Sequence, residues 1–320
     1  MQTVTQRPSS ERNTMSRFSP FVQAAILALT AYILFTTADV SAKILSGRYP
    51  LALCIAAPAL IALLGLGAQI IYQRGWAGFK STQIKLHAAR SIIIAVMVTL
   101  FVHGLKTVPI SDFYCIIFLS PFFVMLTSYF VFKEPLKLER LFVICLAFTG
   151  VVVTIGPHFS DMNIGYAYIF GAVLFSSSNI FVIRKMGQDE YSPLYGFYPL
   201  LAIVIGNLPF AVQDIPSTLP TGDAAIFLLY GVVLIGAHTF LPMAFAKTPE
   251  ISLIAPLHYS QMLWGILADI IIFKAAPPMT TYIGAGIIIS AGMIMMWKER
   301  HHLRKENIKE VIEEENMTLL

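Results

Sequence analysis

Two short polar segments interrupt an otherwise apolar chain, and their spacing decides the predicted architecture. Residues 34–39 read "LFTTAD" and residues 174–179 read "LFSSSN", so the motif recurs after 140 residues. The same offset aligns further residues of the two halves, Pro109 with Pro249 and Ser120 with Ser260. A constant offset over several apolar segments indicates that one unit has been used twice.

The composition indicates an integral membrane protein. Of the 320 residues, 57% are hydrophobic and only 12% are charged, whereas a soluble domain has about 25% charged residues. The net charge is +4, and no basic face is interleaved with aromatic residues, so nucleic acid is not an expected partner. The three cysteines lie in apolar runs without metal-ligand spacing, so we expect neither a metal nor another cofactor.

Ten segments are long and apolar enough to cross a bilayer as helices, which requires about 20 residues each. Strands are not predicted, because these runs are much longer than the roughly ten-residue strands of a membrane barrel. The predicted spans are residues 20–44, 50–72, 86–106, 110–132, 140–157, 164–184, 193–213, 223–245, 250–273 and 279–297.

The distribution of lysine and arginine predicts the orientation of these spans, since such residues accumulate on the cytoplasmic side. With the N-terminus inside, 17 of the 22 basic residues fall on the cytoplasmic side and four on the outer side, while Arg90 lies within a span. The sequence therefore predicts that both termini are cytoplasmic.

The repeat and the span count together predict the fold class. Because each copy contains five spans, an odd number, the second copy enters the membrane from the opposite side. We therefore expect an all-α membrane protein with ten transmembrane helices in two inverted five-helix repeats, an arrangement typical of secondary transporters. The predicted parts are a cytoplasmic arm (1–19), the two repeats (20–157 and 164–297) and a cytoplasmic tail (298–320).

One region resembles a known family. Residues 103–155, beginning "HGLKTVPISDFYCIIFLSPFF", resemble the signature of the EamA-type drug/metabolite transporter superfamily, with Pro121, Glu134 and a final helix containing Gly150. The second copy departs from this signature, since Ala275 stands where an acidic residue is common. The segments "ADVSAKIL" and "IAPLHYSQMLWG" are similar to carriers of S-adenosylmethionine or related metabolites. The resemblance implies a metabolite carrier with the repeat described above.

Asp39 is the main candidate for solute binding, because carboxylates inside a membrane are costly and usually functional. It could attract a cationic solute or accept a coupling proton, or it could pair with Lys43 one turn away. Asn179, its counterpart in the repeat, and Tyr114 are further candidates that could instead only join helices.

The ninth predicted span offers a second group of candidates. His258, Gln261 and Trp264 are spaced three residues apart and so share one helix face. An imidazole, an amide and an indole suit a planar or zwitterionic organic solute, although a buried histidine and a lipid-facing tryptophan are the alternative. Arg90 is expected to reach the headgroups or to pair with Glu134 or Glu139, and Asp269 is expected to pair with Lys274.

These features predict a secondary transporter that moves a small organic metabolite by alternating access. S-adenosylmethionine or another amino-acid-derived solute comes first, then riboflavin or another vitamin, then broad drug or amino-acid export. No Walker A motif occurs, so ATP hydrolysis is not expected. The remote alternative is a membrane-embedded transferase, which would need clustered acids, whereas this chain has scattered single acids, so no enzyme activity is expected. The expected location is the bacterial cytoplasmic (inner) membrane, with the bilayer and a proton or counter-solute as partners. The oligomeric state is not indicated.

Overall fold

A computed structural model describes residues 20–132, 138–156, 163–186, 190–191, 193–246 and 255–318. These residues form helices and connecting turns, and none of them is in a strand. The helices are α1 (Pro20–Ser46), α2 (Leu51–Arg74), α3 (Ile84–Leu105), α4 (Ile110–Ile117), α5 (Ser120–Phe132), α6 (Leu138–Ile155), α7 (Ile164–Met186), α8 (Leu194–Ala211), α9 (Thr221–Ala246), α10 (Ser260–Ile271) and α11 (Met279–Thr318). Short 3₁₀ turns occupy Gly75–Phe79, Val212–Asp214 and Ala255–Tyr259. The all-helical prediction is confirmed.

Proline marks the start of many of these helices. A proline stands directly before α2, α4, α8, α9 and α11, at positions 50, 109, 193, 220 and 278. The residue before a proline is pushed out of the helical region, and proline itself has no N–H to donate to a preceding turn. Each helix therefore cannot extend backward past its proline, which is why the predicted and observed starts agree closely.

The fourth predicted span, residues 110–132, is not one continuous helix. It consists of α4 and α5, which are separated at Phe118 and Leu119. Pro121 cannot donate a hydrogen bond to the carbonyl of Ile117, so the regular pattern fails there, and Leu119 N–H instead bonds to Ile116 O at 3.0 Å. The last helix differs as well, because α11 continues through residue 318 and includes most of the predicted tail.

Seven segments of the described chain are long and apolar enough to cross a membrane, and Leu141–Ile155 is a shorter apolar helix. Large apolar side chains on their outer faces are exposed, for example Leu64, Ile92, Phe130, Val152 and Ile205. Such a surface suits lipid and not water. The chain is therefore a multi-pass membrane protein, while the count of ten spans remains a prediction. The arm 1–19 and Glu134 lie outside the described residues.

The helices pack in a regular set of pairs. These include α1 with α9, α3 with α7, α2 with α8, α6 with α11 and α4 with α10. Every side chain of α4 from Ile110 to Ile116 is buried, so this short helix lies at the centre of the bundle.

Asp269 of α10 fixes α4 in that position. Its carboxylate accepts hydrogen bonds from the backbone N–H groups of Ile110 (3.3 Å) and Ser111 (2.9 Å) in the first turn of α4. A carboxylate here satisfies free amides and complements the helix dipole. Among the described residues the ion pairs do not include the predicted pair with Lys274, so that expectation is corrected: Asp269 caps a helix.

Candidate functional site

Asp39, late in α1, is hydrogen-bonded to α4. Tyr114 O–H donates to Asp39 Oδ2 at 2.6 Å, and Tyr114 Oη lies 3.1 Å from Thr36 Oγ1. Thr36 itself donates to the carbonyl of Tyr32 one turn earlier, at 3.0 Å. The structure thus joins two of the residues predicted for the site, Asp39 and Tyr114.

Lys43 does not pair with Asp39. Its ammonium group donates to the backbone carbonyls of Leu105 (3.1 Å) and Val108, and lies 5.4 Å from the ring centre of Phe273. The carbonyls at the end of a helix favour a cation, so Lys43 has its own acceptors. The described partner of the Asp39 carboxylate is therefore a neutral phenol and not the ammonium of Lys43, while solute binding by Asp39 remains a prediction.

Aromatic rings extend this contact toward His258. The His258 imidazole stacks on Tyr32 with ring centres 5.2 Å apart and meets the edge of Phe118 at 5.3 Å. Phe118 in turn stacks on Tyr114 at 6.0 Å. We call the side chains in this continuous group the Asp39 cluster: Tyr32, Thr36, Asp39, Tyr114, Phe118 and His258.

The close approach of α10 to this cluster depends on Gly265. A Cβ atom there would lie 2.6 Å from Cδ2 of Tyr114 and 2.9 Å from Cε2, so a larger residue would displace the ring. Gln261, one turn earlier on α10, is buried and lies beside His258. The structure therefore places Gln261 next to the cluster, as its spacing from His258 predicts.

The two remaining predicted residues have no described contact with the cluster. Asn179 is on α7, and its Oδ1 atom is buried without a hydrogen-bond partner among the described residues. Trp264 is on α10, and its indole Nε1 is likewise buried without a hydrogen-bond partner among the described residues. Both stay candidates, since a buried polar atom without a partner is costly.

Sequence reasoning missed Tyr32 and Phe118 as members of the cluster. Tyr32 lies seven residues before Asp39, which is two helical turns and hence the same face of α1. That spacing could have indicated Tyr32. Phe118 could not be identified in this way, because its position follows from the break between α4 and α5.

Arg90 also differs from expectation. It is only 8% exposed, so its side chain does not extend to the surface of the bundle. Its Nη1 donates to the backbone carbonyl of Tyr195 on α8 at 2.5 Å, and Nε has no partner among the described residues. Of the acids that were expected to pair with it, Glu134 lies outside the described residues and the side chain of Glu139 is not described.

Polar contacts join the connecting turns at both ends of α2. At one end Asp223 accepts hydrogen bonds from Arg48 (2.5 Å) and Tyr49 (2.6 Å), and the bond to Asp223 raises the pKa of Tyr49. At the other end Glu190 accepts a bond from Ser81 at 2.6 Å and lies 3.4 Å from His87 Nε2. The Asp39 cluster shares no residue with either set of contacts.

The fold and this polar interior are those of a multi-pass membrane protein, and comparisons with known proteins indicate a transporter. Residues 22–156 match the EamA-like transporter family. Within residues 22–156 the chain is therefore similar to an EamA-like transporter domain, in agreement with the resemblance seen in residues 103–155.

Proteins that are similar in sequence to this chain are named for two different substrates. The chain is 25% identical to an S-adenosylmethionine uptake transporter of Rickettsia felis, over 74% of this chain and 80% of the relative. It is 25% identical to a riboflavin transporter of Vibrio cholerae, over 72% and 77% respectively. A riboflavin transporter of Rhizobium johnstonii is 28% identical over 68% of this chain and 72% of the relative.

One solved crystal structure has the same fold. It is 17% identical, covers 88% of this chain and 98% of its own chain, and has a TM-score of 0.62. At that identity the likeness concerns the fold alone.

Proposed function

We propose that this protein is a secondary transporter for S-adenosylmethionine or another amino-acid-derived cation, with Asp39 in its binding site. The observation on which this rests is the Asp39 cluster: a carboxylate held by a phenol, with no cation bonded to it in the described chain, next to stacked aromatic rings. A carboxylate attracts a cation, and aromatic faces bind both cations and planar rings. S-adenosylmethionine has a sulfonium cation and a planar base, so it fits both features.

Riboflavin is the second candidate, since two of the relatives described above have that name. Its flat ring suits the aromatic part of the cluster. It has no cationic group, however, and so leaves the Asp39 carboxylate without a counter-charge. A buried charge without compensation is costly, which favours the cationic solute.

The proposed mechanism is alternating access by two inverted five-helix repeats. The helix ends support a repeat with the 140-residue offset: α1 ends at Ser46 and α7 at Met186, while α5 begins at Ser120 and α10 at Ser260. The packing supports it too. With the 140-residue offset, α1 corresponds to α7 and α3 corresponds to α9, so the contact of α1 with α9 is the counterpart of the contact of α7 with α3. In such a transporter the site lies between the halves, which rock about it.

We further propose that both termini are cytoplasmic in a bacterial inner membrane, as the distribution of basic residues indicates. The driving force would be a proton or a counter-solute, and no chemical change in the solute is involved.

A counterflow assay tests this function. Purified protein in liposomes loaded with unlabelled solute should accumulate external labelled S-adenosylmethionine faster than protein-free liposomes, and the solute should be recovered unaltered. Riboflavin, loaded and labelled in the same way, is the comparison. Counterflow of riboflavin without counterflow of S-adenosylmethionine would reverse the order of the two candidates, and recovery of a modified solute would indicate an enzyme.

A further inference from the structure

We infer that Arg90 forms a second subsite inside the bundle, which binds the carboxylate of the solute. This rests on the proposed function, because it assigns the solute a negative group in addition to the cation near Asp39. The two charges together define the substrate class as a zwitterion.

The first argument is that the charge of Arg90 is incompletely compensated. A guanidinium has five N–H donors, and Arg90 has one described hydrogen bond, to the Tyr195 carbonyl, with its Cζ atom 5.3 Å from the Tyr195 ring centre. Among the described residues the ion pairs are those of Arg48 and His87, and neither includes Arg90. Charged groups inside a membrane protein usually have a partner or face a solute pathway, so a missing anion is expected here.

The second argument is a continuous line of contacts from Arg90 to the Asp39 cluster. Gly196, next to Tyr195, lies against His238 of α9, since a Cβ atom at Gly196 would be 3.7 Å from His238 Cδ2. The His238 ring then meets Phe35 of α1 with centres 5.4 Å apart.

Phe35 is one turn from Asp39, a rise of about 6 Å along α1. Arg90 and Asp39 are therefore joined by rings and a glycine on four helices: α3, α8, α9 and α1. The two charged side chains have opposite signs, and each lacks an oppositely charged partner among the described residues. S-adenosylmethionine has both a carboxylate and cationic groups, whereas riboflavin has neither.

The substitution Arg90→Gln tests this assignment with two solutes that differ only in the carboxylate. We expect it to weaken competition by S-adenosylmethionine in the counterflow assay by about tenfold or more, as for the loss of a charge-assisted hydrogen bond. Competition by decarboxylated S-adenosylmethionine should change by less than about twofold. An equal loss for both solutes would show that Arg90 only supports the fold.

Two variants serve as controls. Arg90→Lys keeps the charge and should retain part of the preference for the carboxylate. Arg74→Gln removes an arginine at the end of α2 that stacks on Tyr191 at 3.9 Å, and it should leave the preference unchanged.

A second measurement needs no knowledge of the solute. Cys145 is exposed while Cys54 and Cys115 are buried, so Arg90→Cys is made in a Cys145→Ser background. We expect the introduced thiol to react with a negatively charged methanethiosulfonate reagent from the aqueous phase. An introduced thiol that does not react would overturn the subsite whichever solute is transported. If this thiol reacts but S-adenosylmethionine is not transported, the proposed substrate fails, while the position of Arg90 on a water-accessible pathway stands.

Discussion

At the scale of single residues, two tyrosine–aspartate hydrogen bonds among the described residues attach α4 to neighbouring helices. Tyr114 donates to Asp39 at 2.6 Å, and Tyr166 donates to Asp112 at 2.8 Å. Both bonds join a phenol to a carboxylate, but of the two only Tyr114–Asp39 belongs to the Asp39 cluster. The pair Tyr166–Asp112 is therefore a matched control for the proposed site.

Tyr114→Phe and Tyr166→Phe should have similar effects on stability and different effects on transport. Each removes a donor from a carboxylate inside the bundle, which costs about 1–3 kcal/mol in the free energy of unfolding. Thermal unfolding in detergent measures this loss. Only Tyr114→Phe should also change the apparent KM for S-adenosylmethionine in counterflow. A change in KM of the same size in both variants would contradict the assignment of the site.

Asp39 could be predicted as a candidate because an acidic residue in an apolar run is conspicuous in any sequence. Its partner could not be predicted, since the i,i+4 spacing allows Lys43 equally well. The choice depends on the carbonyls of Leu105 and Val108, which are far away along the chain and accept from Lys43 instead. The burial of Arg90 likewise depends on its contact with α8, and local sequence does not encode that contact.

At the scale of helices, hydrophobic runs and prolines predict most of the boundaries, because a helix is a local structure. The break between α4 and α5 is the main exception. Pro121 indicates it, but an uninterrupted apolar run obscures it. The ring of Phe118, at the break, connects Tyr114 with His258, so the irregular backbone shapes the proposed site.

The contact between α6 and α11 makes a prediction about helix packing. A Cβ atom at Gly284 of α11 would overlap Thr154 Oγ1 and the Gly150 carbonyl of α6, whereas a Cβ atom at Gly286 would meet nothing within 4 Å. Gly284→Ala should lower the free energy of unfolding by about 1–3 kcal/mol, because it forces the helices apart. Gly286→Ala, two residues further along the same helix, should not destabilise the protein. Equal midpoint temperatures of thermal unfolding for Gly284→Ala and Gly286→Ala would show that the crossing of α6 and α11 tolerates a side chain at position 284.

At the scale of the whole molecule, the proposed inverted repeat requires the N-terminus and the C-terminus to lie on the same side of the membrane. The basic residues favour the cytoplasmic side. Reporter proteins that are active only in the cytoplasm, fused in turn to each end, should both be active. Activity of one fusion alone would mean an odd number of crossings and would contradict two five-helix repeats.

The all-helical, multi-pass character of the protein was predictable because composition and span length are properties of the whole chain, whereas the ten-span inverted repeat and its orientation remain predictions. The solute could not be predicted, since its identity depends on a few side chains that come together from α1, α4 and α10.

The most direct test of the account is therefore counterflow of labelled S-adenosylmethionine by Asp39→Asn, with Asp223→Asn as the matched control.

Asp223 lies in the first turn of α9 and contacts the turn between α1 and α2, and its ion pair with the largely exposed Arg48 contributes little. At equal amounts of protein in the liposomes, we predict that Asp39→Asn lowers the counterflow rate by about tenfold or more, as expected for the loss of a charged partner. Asp223→Asn should stay within about twofold of the unchanged protein. If Asp39→Asn shows the same counterflow rate as the unchanged protein, the claim that this carboxylate binds the transported solute is contradicted.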